Sequence, residues 1–205
     1  MRRIGAGVLL AVLASGCGGS GGGVPNDAKI LQAAFVRGRD TNADLSPLLA
    51  VAPAPDGEAL SLYSSLDPAG DGSGFNLRVR ATVSGPTAHR EVNLRIVSRD
   101  GAIRAGRVYE LLDPDALHGT SWAELTYSEY AVEHRRSTWA AGAGSVFVEA
   151  VRPATLEGGA ASTYRLRVRG AAMVPNHRID YGPPSAGTFV LSALAQVKVR
   201  SLPAR

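Results

Sequence analysis

Six arginines stand where their charge could be used. Arg78 and Arg80 in "FNLRVRATVS", Arg95 in "EVNLRIV", and Arg165, Arg167 and Arg169 in "TYRLRVRG" alternate with apolar residues. On strands, such residues emerge together on one face. If those strands are neighbours, the guanidinium groups form a basic plate whose planar forks suit phosphates or sugar carboxylates. The competing arrangement is pairwise neutralisation across a sheet by Glu91, Glu124, Glu129 and Glu149. Four aromatic residues, Trp122, Tyr127, Tyr130 and Trp139, fall within eighteen positions. Exposed, they would offer a stacking platform for sugar rings; buried, they are core. In "SWAELTYSEYAV" Trp122 and Tyr130 share one face and Tyr127 takes the other, so at least one is expected to reach the surface or a second layer.

Metal and catalytic chemistry find less support. "DTNAD", Asp40 to Asp44, begins like a calcium loop, but Leu45 stands where the loop needs glycine and Val51 where a bidentate glutamate would close it. "DPAGDGSG", from Asp67, fails too, with Ala69 where an oxygen ligand is needed and Arg78 where the closing glutamate would stand. Turns held by Asp and Asn side chains explain both. Asp113, Asp115 and His118 lie within six residues, yet no second histidine is near in sequence, and a structural or catalytic metal centre wants more ligands than that. His134 and His177 have no partner that spacing identifies. No nucleophile elbow, zinc-protease helix or phosphate loop is present. The expectation is therefore no catalytic residue, no metal and no cofactor.

The elements that must carry these side chains read as strands. "FNLRVRATVS" sends Phe75, Leu77, Val79, Ala81 and Val83 to one face; "EVNLRIV", "TYRLRVRG" and "GTFVLSALAQVKVR" repeat the pattern. "EALSLYS", "GRVYELL" and "GSVFVEAV" are further short runs bounded by turn residues. Eight or nine strands with little helix predict an all-β, antiparallel two-layer sandwich, with an up-and-down barrel as the alternative. "DAKILQAAFVRG", Asp27 to Gly38, fits either a helix or an edge strand. "SPLLAVAPAPDG", Ser46 to Gly57, is proline-rich and extended.

The lone cysteine has a different context. Arg2 and Arg3 precede an apolar stretch from Ile4 to Leu13, and Cys17 is followed at once by glycine and serine. The apolar stretch is shorter than the ~20 residues that a membrane-spanning helix needs. "LASGC", Leu13 to Cys17, resembles the lipobox of bacterial lipoproteins, with Ala14 where leucine is commonest. The resemblance implies a signal peptide over 1–16, cleavage before Cys17, and acylation of that cysteine. Residues 17–26 are then an acylated cysteine with a glycine-rich tether, and 27–205 a single β-rich domain. Gly18 in place of aspartate implies the outer membrane if the organism is Gram-negative. "AGTFVLSALAQVKV" is similar to the closing strand of uncharacterised β-sandwich lipoproteins. Two acyl chains hold a protein far more firmly than one, each buried methylene adding about 0.8 kcal/mol.

With Cys17 acylated, the fold has no disulfide and no free thiol. All but two of the 22 basic residues are arginine, and the net charge of +4 falls to +2 without Arg2 and Arg3. That balance does not point to nucleic acid. The expected function is a non-enzymatic envelope lipoprotein that binds an envelope polymer or protein. The alternatives are a lipocalin-like carrier of a small apolar ligand and, after it, a hydrolase.

Overall fold

The computed structural model describes residues 27–37, 46–47, 59–68, 74–84, 88–113, 119–131, 136–175 and 186–198. Their regular structure is all β: β1 (Asp27–Arg37), β2 (Ser46–Pro47), β3 (Ala59–Pro68), β4 (Phe75–Ser84), β5 (Ala88–Ser98), β6 (Val108–Glu110), β7 (Ser121–Ala131), β8 (Arg136–Ala143), β9 (Ser145–Leu156), β10 (Gly159–Pro175) and β11 (Gly187–Lys198). All belong to one sheet, and every ladder between them is antiparallel. The ambiguous segment after Asp27 is a strand. It lies along β11, from Asp27 opposite Gln196 to Arg37 opposite Gly187, where the ladder satisfies backbone groups that an isolated helix would have to satisfy within itself.

The strands lie in the order β2-β1-β11-β10-β8-β7-β5-β4-β3, with β9 also beside β10 and β6 beside β9. From β3 to β11 this is largely a meander, and β1 is added next to the last strand. The sheet curls until β3 comes against β1 and β11, where the Ser64 hydroxyl donates to the Gln196 carbonyl at 3.1 Å. Two walls thus face each other over one core, as in a sandwich, while the strand order is that of an up-and-down barrel.

A bend makes the curl possible. β8 ends at Ala143 and β9 begins at Ser145; β8 pairs with the last residues of β10 and β9 with its first ten. The two are one long stave bent at Gly144. Gly144 has φ +129°, and a Cβ there would lie 2.9 Å from the Ala171 Cα. Facing the bend, β10 shifts register against β11 between Val168 and Ala171, with Gly170 at φ 60°. β10 therefore runs on beyond "TYRLRVRG", because Gly170 bends the strand instead of ending it.

One face of each long strand supplies the core. Leu77, Val79 and Ala81 from β4, Val92, Leu94 and Ile96 from β5, and Leu166 and Val168 from β10 are all buried. At the centre, Phe35, Tyr127, Trp139 and Phe189 join opposite walls. The centroids of Phe35 and Trp139 are 5.0 Å apart, those of Phe35 and Tyr127 5.2 Å, and those of Tyr127 and Phe189 5.7 Å. Each large apolar side chain so buried contributes roughly 1.5–3 kcal/mol.

The turn after β5 is clipped by charge. Arg107 donates to Asp100 in a short ion pair, while the Ser98 and Ser121 hydroxyls donate to the same carboxylate at 2.9 and 2.8 Å. Hydrogen bonding from Arg107, then Ser121 and Ser98, holds the Asp100 carboxyl well below the usual carboxylate range. Stability from such a group is present above its unfolded value, near 3.9, and is lost as pH falls through the folded value. On acidification below about pH 4 the wild-type melting temperature should fall, and Asp100→Asn should begin lower and fall less. The difference should be on the order of 1 kcal/mol or less, because the pair meets solvent. Parallel acid limbs for the two chains would show that Asp100 has no part in them.

Candidate functional site

The outward faces of β3, β4, β5 and β7 line a groove of about 780 Å³. Register sets its side chains in rows across the strands. One row is Ser65–Arg78–Arg95–Glu124, and the next is Tyr63–Arg80–Asn93–Thr126. A third, Ser61–Thr82–Glu91–Ser128, lies beyond. Strand alternation dictates this composition: with Leu77, Val79 and Ala81 buried, Arg78 and Arg80 must face out.

Two of the three arginines are engaged. Arg80 Nη2 donates to Glu91 Oε2 at 2.7 Å, and Asn93 Nδ2 donates to Glu91 Oε1 at 2.5 Å. Arg95 reaches Glu124 Oε2 and Asn76 Oδ1, each at 3.4 Å. Trp122 Nε1 donates to the other Glu124 oxygen at 3.3 Å. Arg78 is exposed, stands directly opposite Arg95, and has no ion pair or hydrogen bond among the described residues. Three guanidinium groups in the lining face the Glu124 carboxylate there and the Glu91 carboxylate in the row beyond, a balance of one positive charge among these described residues. In the same row the Ser65 hydroxyl and Arg95 Nε are buried with no hydrogen-bond partner among the described residues.

Beside Glu91 stands His89, whose Nδ1 is 2.8 Å from the Ser84 hydroxyl and whose Nε2 is 3.8 Å from Glu91 Oε2. Burial acts against the Glu91 carboxylate, but hydrogen bonds from Asn93 and Arg80 and the nearby charges of Arg80 and His89 outweigh it. They hold the Glu91 carboxyl below its usual range, so that carboxylate is an anion near neutral pH.

The six arginines do not form one plate, a correction to that expectation. β10 is separated from β5 by β8 and β7, so Arg165, Arg167 and Arg169 lie on another wall. There Glu149 forms ion pairs with Arg165, Nε at 2.9 Å, and with Arg167, Nε at 2.6 Å. Glu149 is the extra residue at a register shift between β9 and β10, which lets one carboxylate serve two arginines. Arg169 is exposed.

The aromatic platform is also corrected. Tyr127 and Trp139 are inside the barrel, and Trp122 is buried on the outward side, with the Arg99 guanidinium 5.1 Å from its ring centroid. Tyr130 has its backbone in β7 opposite His89. The aromatic that the groove does offer is Tyr63, 46% exposed. Its signal in "EALSLYS" is the alternation of Ser61 and Tyr63 with Leu60 and Leu62.

Comparison with protein-family models, with curated proteins and with solved structures finds no match to this chain. The groove must therefore be read from its own chemistry. Cys17, the signal and tether segments, Asp40–Asp44, Asp115, His118, His134 and His177 lie outside the described residues. Asp113 is exposed, and among the described residues no three His, Cys, Asp or Glu side chains are grouped to hold a metal.

Proposed function

We propose that this protein is a non-enzymatic envelope lipoprotein, anchored through acylated Cys17, whose β3–β4–β5–β7 groove binds an anionic polymer of the cell envelope. The observation that carries the reading is Arg78, an exposed guanidinium with no counter-ion among the described residues, set beside Arg95 in a groove where three arginines outnumber the carboxylates of Glu124 and the nearby Glu91. A planar fork held on a rigid strand is suited to two parallel hydrogen bonds with an acidic oxygen pair. The anchor rests on "LASGC" and the glycine tether, and the outer membrane is its destination if the envelope is Gram-negative.

In a bacterial host the wild-type chain should sediment with membranes, and Cys17→Ala should move it to the soluble fraction; identical partition of the two would overturn the anchor. The purified full chain should be retained on acidic envelope polymers at low salt and released as salt rises. Arg78→Glu should abolish that retention while leaving the melting temperature within ~1 °C, since the Arg78 side chain is exposed and has no ion pair or hydrogen bond among the described residues. Unchanged retention would place the polymer elsewhere.

The carrier reading has less support. The middle of the barrel, where an apolar ligand would sit, is filled by the rings of Phe35, Tyr127, Trp139 and Phe189.

A further inference from the structure

The groove offers more than charge. Tyr63 presents an exposed ring in the row next to Arg78, about 7 Å along the strands. Asn93 and Thr126 continue the row that Tyr63 begins, giving both donors and acceptors. Glu91 and Glu124 are held by arginines, yet a carboxylate has about four acceptor sites, so each keeps capacity for a hydroxyl donor. Aromatic face, amide, hydroxyl and carboxylate acceptors, with one unpaired guanidinium among them, match a ring that is largely neutral and hydroxylated and carries a single acid.

We infer that the groove's ligand is an acidic glycan, a chain of sugar rings bearing carboxylates, with Arg78 gripping one carboxylate and Tyr63 stacking on a ring. This rests on the proposed binding role of the groove and narrows it. A polyphosphate is disfavoured by the same residues. Its units present only anionic and bridging oxygens, with no hydroxyl to donate, so it would bring phosphates against Glu91 and Glu124, and like charges juxtaposed at an interface are costly. A sugar chain places hydroxyls there instead. The groove volume of about 780 Å³ lies within the range of small-molecule sites and has room for a short oligosaccharide. Arg78 then sets specificity by geometry as well as charge, because lysine would keep the charge and lose the fork.

The test compares three probes on the full chain purified in detergent: an oligogalacturonate, a neutral oligosaccharide of equal length, and a linear polyphosphate, each by calorimetry at fixed salt. The oligogalacturonate should bind most tightly. Arg78→Ala should weaken it about tenfold or more, Arg78→Lys should recover only part of that loss, Tyr63→Ala should cost severalfold, and Tyr63→Phe should stay near wild type. Polyphosphate binding more tightly, with Tyr63→Ala without effect and Arg78→Lys fully active, would overturn the glycan while leaving an anion-binding groove intact. Equal binding of the neutral and acidic sugars would overturn the role of Arg78. If none of the three probes bound, both the glycan and the polymer-binding role of the groove would fall.

Discussion

Trp139→Ala should destabilise the protein by about 3–5 kcal/mol and lower its melting temperature by roughly 6–20 °C. Trp139 is fully buried, stacked on Tyr127 at 5.6 Å and set edge-on to Phe35 at 5.0 Å. Those rings come from β7 and β1, which lie on different walls, so truncation opens a void that no single strand can move in to fill. Such voids carry a penalty beyond the lost transfer energy. Trp139→Phe should recover more than half of the loss, since a ring would still meet Phe35. Thermal denaturation of the three chains measures both effects. A loss below about 1 kcal/mol for alanine would mean that the walls close over the gap.

The bend between β8 and β9 should be nearly as sensitive. Gly144→Ala meets two costs: φ of +129°, which side chains rarely adopt, and a Cβ 2.9 Å from the Ala171 Cα and 3.2 Å from Leu111 Cδ1. Backbone strain and overpacking together should cost about 2–5 kcal/mol. Gly158→Ala is the control, with φ +75° and nothing within 4 Å of the added Cβ, and should cost only about 1 kcal/mol. The two urea midpoints separate sterics from strain. Equal losses would show that the approach of β10 to the bend does not constrain the residue.

Much of this was legible because strand alternation is a local property. The placement of Leu77 and Val79 inside and Arg78 and Arg80 outside follows from ten consecutive residues, and so does the split of Trp122 from Tyr127. What the sequence withheld is which strands become neighbours. Arg78 and Arg165 stand in equally regular patterns, yet among the described residues one has no counter-ion and the other is met by Glu149. That difference arises from a register shift between β9 and β10, which no periodicity records. Tyr63 was obscured for a related reason: Ser64 takes the inward position where its strand would be expected to show another apolar residue, and it is held there by its bond to Gln196. The two glycines at the bend read as stops, because a bend and a turn call for the same residue.

The pairing of β1 with β11 has a consequence for the time course of folding. Hairpins such as β3–β4 and β4–β5 join segments adjacent in the chain and can zip as soon as both arms are present. The barrel, however, is finished only when its last strand arrives to receive its first. Contacts so remote in sequence slow folding, typically into the millisecond-to-second range for β-rich topologies. Until then the alternating apolar faces of both strands stay open to other chains. For a chain exported in the proposed way, late closure keeps the polypeptide extensible until all of it has been translocated, and the same delay makes the unfinished edge the point at which misassembly would begin.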